Sequence, residues 1–325
     1  MKGPVFVIGF PRSGTTLARA VVGAHPEIGM VNEPELIYAL FRDGSLKPHF
    51  DPSEIESLLS RMDVVGLCGA HLAGLPAETA QNLSQQQGTL ELQALYESLL
   101  PKPDTPVWGE KSLNNNFFVA QLLELYPDAV FVSVVRDPRA VLLSLAIKRG
   151  LAEETDEDLK ILHPVELLKM LEIESYKWQL WNRIALQNER QVKTGKWLSL
   201  RYEDLVADPE SGMKKLCAML GLAFDEQMLS HRQRAQDPVL KTRSGYAHQR
   251  LSAELDSTRI SAYRKWPDWA LAVIEQHCGQ TMEAFDYPVS DPGMCRSTLV
   301  ARLAARVAGL VNARKKRKFR RQRGI

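Results

Sequence analysis

The octapeptide Gly9-Phe10-Pro11-Arg12-Ser13-Gly14-Thr15-Thr16 directly follows the apolar run Val5–Ile8 and precedes Leu17, Ala20 and Val21 at helical spacing. A short buried strand, a glycine-bounded loop and a helix start, in that order, gather backbone N–H groups around an anion. The helix N-terminus adds partial positive charge. The spacing is that of a Walker A loop, except that Thr15 stands where the lysine that reaches β- and γ-phosphates should be. Arg12 supplies a fixed positive charge from inside the loop instead. The loop suits a phosphate but is poorly built for a triphosphate. A second group lies far along the chain. Arg136-Asp137-Pro138-Arg139 ends another apolar run and opens a helix on which Ser144 and Lys148 share one face. Arg136, Ser144 and Lys148 aimed at one spot make a second anion site, in which the guanidinium gives planar two-point contacts. On spacing alone, a structural Arg136–Asp137 pair with Ser144 at the surface is an equal alternative.

Strands must deliver these groups to a common edge. Val5–Ile8, Ala129–Val135 and Trp197–Leu200 read as buried parallel strands, and the first two are near-continuous apolar runs, as expected when both faces are covered. Val107–Trp108, just ahead of Gly109-Glu110-Lys111, is a fourth and shorter candidate. Helical periodicity covers Thr16–Ala24, Asn115–Tyr126, Arg139–Arg149, Pro164–Gln191, Pro209–Leu220 and Asp268–Cys278. This strand–helix rhythm predicts an α/β fold with a central parallel sheet. Two regions break it: an irregular, partly helical insertion at about 44–104 and a polar stretch at 231–262. In open α/β sheets such segments commonly cover the carboxyl ends of the strands, where ligands bind. The linker Asp291-Pro292-Gly293 separates a body of residues 1–290 from a C-terminal segment, 291–325.

The 325 residues can bury a large core, and the hydrophobic (45%) and charged (25%) fractions are those of a soluble globular protein. No leader is expected ahead of the first strand, and no run is long enough for a membrane span. The four cysteines, Cys68, Cys217, Cys278 and Cys295, show no metal-ligand spacing and read as buried thiols in a reducing compartment. A cytoplasmic location is the expectation. Segment 314–323 holds eight of the 41 Lys/Arg and no acid, so the rest of the chain carries 33 basic against 39 acidic residues. An apolar periodicity over 296–313 precedes this basic run. An amphipathic helix with a polybasic tail suits peripheral contact with an anionic membrane at its inner face. The alternative is a docked helix with a solvated charged end. Nucleic acid is disfavoured by the acidic body and by limited aromatic interleaving.

At this point the chain resembles the sulfotransferases that use 3′-phosphoadenosine 5′-phosphosulfate (PAPS), which need two phosphate sites on adjacent strands. Pro11-Arg12-Ser13-Gly14-Thr15-Thr16-Leu17 resembles their 5′-phosphosulfate loop, and Val135–Val141 through Ser144 resembles their 3′-phosphate motif. The similarity extends to Ala24-His25-Pro26-Glu27, Glu110-Lys111-Ser112 and Tyr202-Glu203-Asp204-Leu205, and is greatest with the tyrosylprotein and Golgi-type carbohydrate branches. It implies a P-loop nucleoside triphosphate hydrolase-like three-layer fold. By position, Pro11, Arg12 and the loop through Ser13, Gly14, Thr15 and Thr16 would hold the 5′-phosphosulfate. Arg136, Ser144 and Lys148 would hold the 3′-phosphate, and Tyr202 would contact the nucleotide. The late loop 241–252, with Lys241, Arg243, Ser244, Gln249 and Arg250, would close over the adenosine. Glu33, which lies 21 residues after Arg12, falls where the tyrosylprotein branch has its catalytic base. Lys111 resembles the lysine that stabilises the bridging oxygen, a duty Arg12 would share.

Departures from that branch are visible. Pro34 follows Glu33 where a second acid is expected, and Glu35 is a reserve base. His25 is expected to cap and pack and Trp178 and Trp181 to fill the core, while Trp266 and Trp269 are the better candidates for lining an acceptor cleft, with core packing as the leading alternative. The resemblance therefore implies an enzyme of the transferase class that moves a sulfuryl group from PAPS to a hydroxyl, without a metal. The acceptor would be a carbohydrate, glycolipid or other small molecule. A peptide tyrosine is the second choice. A P-loop nucleotide kinase and a non-catalytic nucleotide-binding protein are the rival classes.

Overall fold

The computed structural model describes residues 3–41, 46–65, 82–83, 85, 88–100, 104–155, 158–230, 258–289 and 312–325. Among these, nine strands occur in chain order: β1 (Val5–Gly9), β2 (Ile28–Asn32), β3 (His49–Phe50), β4 (Leu90–Glu91), β5 (Val107–Lys111), β6 (Val130–Val135), β7 (Ala152–Glu154), β8 (Leu159–Ile161) and β9 (Trp197–Arg201). Five of them form one sheet in the order β2-β5-β1-β6-β9, and every neighbouring pair is parallel. β1 lies at the centre, with Val5 in register with Gly109 on one side and Val130 on the other.

The period-2 alternation of β1 divides its side chains between two layers. Val5 and Val7 pack with Val130, Val132, Leu198 and Leu200 beneath the helices Thr15–Val22 and Pro209–Leu220. Phe6 and Ile8 point the other way, toward the helices Leu36–Leu40, Leu92–Leu99 and Val119–Leu125. On that same face Phe10 and Val135 meet the helices Pro138–Lys148, Pro164–Gln191 and Asp268–Glu283. Each such side chain, fully buried, contributes roughly 1.5–3 kcal/mol through removal from water. Helix–sheet–helix layering follows from strands that are apolar on both faces.

Three differences from expectation matter for the site. β2 was not anticipated, because Gly29 and Asn32 dilute its apolar character; it is an edge strand and needs less. β5 runs three residues beyond Val107–Trp108, so Gly109, Glu110 and Lys111 are strand residues with alternating faces. The helix after it starts only at Val119, preceded by a 3-10 turn, Leu113–Phe117. The expected insertion at 44–104 contains the short antiparallel pair β3–β4, whose strands are far apart in the chain, and helices at Pro52–Val65 and Leu92–Leu99.

The basic run is a helix, Ala313–Arg321, docked on the body rather than a free end. Phe319 is buried against Phe117 and Trp181, with ring centroids 6.3 Å apart in each case. The apolar segment 296–311, the late loop with Lys241, Arg243, Ser244, Gln249 and Arg250, and Cys68 and Cys295 lie outside the described residues. Cys217 and Cys278 are buried free thiols. No helix among the described residues is long and apolar enough to cross a membrane.

Candidate active site

The loop after β1 is shaped by backbone geometry. The Ser13 N–H donates to the Phe10 carbonyl (3.1 Å), closing a turn in which Arg12 takes φ 72°, a conformation uncommon for a non-glycine residue. Gly14 follows at φ 92°, and a Cβ there would lie 2.3 Å from the Tyr202 ring. The first intrahelical bond is Ala18 N–H to Gly14 O, 3.0 Å, so the amides ahead of it lack intrahelical acceptors. Expectation had placed the Ser13 amide among the anion donors. It is used instead to close the turn, and what Ser13 offers is a buried hydroxyl with no hydrogen-bond partner among the described residues. Such an orphaned buried hydroxyl beside amides at a helix start fits an anion.

The second group converges on this loop. Arg12 Nε donates to Ser144 Oγ (3.1 Å), and Arg136 donates to the Arg12 carbonyl (3.3 Å). The Arg136 guanidinium lies 4.2 Å from the centroid of the Tyr202 ring, whose edge is the surface that crowds Gly14. Trp178 Nε1 donates to the Arg136 carbonyl (3.2 Å), fixing the strand end from beneath. Arg12, Gly14, Arg136, Ser144 and Tyr202 thus form one contiguous assembly. Lys148 lies one turn beyond Ser144 and is exposed. Asp137 has a structural role, through Arg139. Its carboxylate caps the helix through Arg139 N–H (2.8 Å) and binds the buried Arg139 guanidinium, which also reaches Glu275 at 2.9 Å.

Glu33 and Lys111 meet at the ends of β2 and β5 as an ion pair. The Glu33 N–H donates to the Lys111 carbonyl (2.7 Å), so backbone pairing sets their proximity. Their exposures differ: the Lys111 side chain is 2% exposed and that of Glu33 41%. Burial pushes the Lys111 amine below the ordinary lysine range; Glu33 opposes that shift and the buried Arg19 adds to it. Glu35 is not equivalent to Glu33. Its carboxylate accepts from Leu113 N–H (2.9 Å) and Asn114 Nδ2 (3.0 Å) and so caps the 3-10 turn. Ser112 Oγ in turn accepts from the Glu35 N–H at 3.0 Å. A carboxylate so engaged braces the turn, and burial raises it above the ordinary carboxylate range. Glu110 faces the opposite side of β5, fully buried, and burial raises its carboxyl to about 7.

Several residues fall elsewhere than expected or were missed. Trp266 does not line a cleft: it is buried, and its indole N–H donates to the Arg139 carbonyl (3.0 Å). Trp269 is only partly buried and packs against the same cluster. His25 is buried; its Nδ1 accepts from the Glu27 N–H and its Nε2 bonds the Ala223 carbonyl (2.9 Å), joining two loops. Trp178 and Trp181 fill the core. Arg19 beside Lys111 went unremarked, although an arginine in the last turn of a short apolar helix was the available signal. Glu203 is a further brace, accepting from the Asp137 N–H (3.2 Å) and the Tyr287 hydroxyl (2.7 Å). No cluster of potential metal ligands occurs among the described residues.

Comparison with known proteins places this geometry. The family model described as "Sulfotransferase family" matches residues 4–226, and the chain belongs to that family. It is 28% identical over 239 residues to a protein-tyrosine sulfotransferase of Drosophila melanogaster, covering 72% of this chain and 41% of that protein. It is 26% identical over 196 residues to an omega-hydroxy-beta-dihydromenaquinone-9 sulfotransferase of Mycobacterium tuberculosis, covering 57% of this chain and 42% of that one. The chain spans about half the length of the curated relatives it matches. In structure it is similar to the sulfotransferase domain of an olefin synthase from Synechococcus PCC 7002, with a TM-score of 0.59 at 21% identity, over 89% of this chain and 98% of that domain. That likeness is one of fold, the P-loop-type three-layer α/β arrangement.

Proposed function

Taking membership of the sulfotransferase family as the premise, we propose that this chain transfers the sulfuryl group of 3′-phosphoadenosine 5′-phosphosulfate to an acceptor hydroxyl. The observation that carries the reading is the juxtaposition of two charged groups at one sheet edge. Arg12, Arg136 and Ser144 surround the loop, and Glu33 and Lys111 meet on the two adjoining strands. The loop amides, the Ser13 hydroxyl and Arg12 would hold the 5′-phosphosulfate, and Arg136 and Ser144 the 3′-phosphate, with Lys148 within a turn of them. Tyr202 would present its ring to the nucleotide.

Sulfuryl transfer is a displacement at sulfur, in which positioning and electrostatics carry the catalysis much as in phosphoryl transfer. Glu33, the more exposed partner of its ion pair, takes the proton of the acceptor hydroxyl as its oxygen bonds to sulfur. Lys111 and Arg12 offer N–H groups to the phosphate oxygen on which charge develops as the S–O bond breaks. Adenosine 3′,5′-bisphosphate leaves, and the proton stays on Glu33 until solvent removes it. A lysine pushed below its usual range by burial is the better proton donor for this duty.

The proposed acceptor is a carbohydrate, a glycolipid or another small hydroxylated molecule. A peptide tyrosine is the second reading, favoured by the Drosophila relative's name. Calorimetry tests the donor: tight binding of adenosine 3′,5′-bisphosphate, lost in Arg136→Ala, is expected, and stronger binding of ATP with Mg²⁺ would overturn the assignment. Incubation with sulfur-35-labelled donor and an acceptor panel then identifies which hydroxyl is labelled.

A further inference from the structure

The helix Ala313–Arg321 and its flanks have two faces of different chemistry. Toward the body lie Asn312, Lys316, Phe319 and Arg323, at spacings that keep them on one side of a helix. Asn312 Nδ2 (2.9 Å) and Lys316 bond the buried carboxylate of Glu172. Phe319 is buried, and the Arg323 guanidinium lies 4.1 Å from its ring centroid and 5.5 Å from that of Tyr38. A Cβ on Gly324 would lie 3.0 Å from Phe41. The inner face is therefore anchored to Glu172 and to the segment 36–41, which follows Glu33 directly.

Outward, Arg314, Lys315, Arg317, Lys318, Arg320 and Arg321 are all exposed, the helix holds no acid, and none of the six forms an ion pair among the described residues. A helix of this length spans only about 13 Å, comparable to the Debye length of about 10 Å at 0.1 M salt. The six charges therefore repel one another. Unwinding would relieve the repulsion only by giving up the Phe319 and Glu172 contacts, so the face calls for an external polyanion. Nucleic acid fits poorly. The rest of the chain is net acidic, and the one aromatic of the helix, Phe319, is turned inward, so nothing outward can stack on a base.

We infer that this face docks the chain on a bilayer surface bearing anionic phospholipid headgroups. A short array of six cations on a rigid support matches a laterally mobile layer of headgroups, which needs no fixed partner geometry. Each basic residue near such a surface strengthens adsorption by about fivefold. Because the inner face of the helix rests on the segment that follows Glu33, docking holds the acceptor side of the site near the membrane. The inference stands independently of which hydroxyl is sulfated.

The experiment is co-sedimentation of the full chain with phosphatidylcholine vesicles, with and without phosphatidylserine, at about 0.1 M salt. The wild type should pellet only with the phosphatidylserine vesicles and be released by high salt. The triple substitution Arg314→Glu, Lys318→Glu, Arg321→Glu should weaken binding by about a hundredfold or more, with circular dichroism and bisphosphate binding unchanged. The milder pair Arg317→Gln and Arg320→Gln, which adds no acid, should give a smaller loss. Absence of wild-type binding to the phosphatidylserine vesicles would overturn the inference, as would equal binding by the triple variant. Displacement of the vesicles by an acidic peptide or duplex RNA at matched charge would also overturn it, in favour of a different polyanion. Failure of bisphosphate binding in the wild type would instead count against the donor assignment alone.

Discussion

Arg136 and Lys111 both end strands of one parallel sheet, yet they are held in different ways. The Arg136 guanidinium meets a backbone carbonyl and the face of Tyr202, while Lys111 meets the carboxylate of Glu33 and is far more deeply buried than that partner. A guanidinium stays charged at any working pH, so the loop side of the site is a fixed electrostatic cradle. The amine on the other side is shifted by burial and balanced by its carboxylate. On the proposed function, one side binds and the other exchanges protons, and this division can be broken experimentally.

The largest effect is expected from Glu33→Gln and Lys111→Met, each lowering kcat by about 10²–10⁴-fold. Calorimetric affinity for adenosine 3′,5′-bisphosphate should stay within a few-fold in Glu33→Gln, while Lys111→Met, which removes a donor to the 5′-phosphate, should lower it less than it lowers kcat; an affinity loss as large as the rate loss would erase the division. Next comes Glu110, on the same strand as Lys111. Burial raises its folded-state value to about 7, above its value of about 4.3 in an unfolded chain. The folded state thus binds this proton more tightly. Its stabilising contribution is full below about pH 4 and is lost as pH rises through about 7, amounting to about 4 kcal/mol. Thermal melts should show a midpoint that falls across that window in the wild type and is flatter in Glu110→Gln. An identical slope in both would remove Glu110 from the account.

Arg136→Ala should weaken bisphosphate binding by about 10–100-fold, the range for a charged hydrogen bond. Arg136→Lys should recover little of it, because stacking on Tyr202 and two-point contact need the planar group. Full recovery by lysine would mean that only net charge matters there. The smallest effect belongs to Gly14→Ala, where positive φ costs roughly 1–2 kcal/mol and the new Cβ meets Tyr202. Adding Tyr202→Ala should relieve the overlap but not the backbone cost, so melting temperature recovers only in part.

The two sides also differed in how far the sequence revealed them. The loop and the Arg136 motif are contiguous runs attached to β1 and β6, whose apolar character is unmistakable. Chemistry and scaffold could be read together there. Glu33 follows β2, an edge strand with a glycine and a polar end, so nothing in the periodicity indicated where it would be delivered. Its association with Lys111 came from resemblance, and the backbone bond between the two segments supplies the physical reason. Glu33 and Glu35 look alike in Asn32-Glu33-Pro34-Glu35, and only the 3-10 turn that Glu35 caps separates their roles. Trp266 and Phe319 were obscure for a related reason. Each is an aromatic set in polar sequence, and its burial depends on helices that pack from distant parts of the chain.

The register of β1 has a kinetic meaning as well. Val5 pairs with Gly109 and Val130, so β1 cannot be flanked until about a hundred more residues have followed it. Contacts of such long sequence separation slow folding, and synthesis at about 5–20 residues per second leaves β1 waiting for several seconds. During that interval the apolar run Val5–Ile8 is an exposed strand without neighbours, and the adjoining loop has no sheet to shape it. The loop to which the proposed function gives the phosphosulfate thus adjoins a strand that waits for partners about a hundred residues further along the chain.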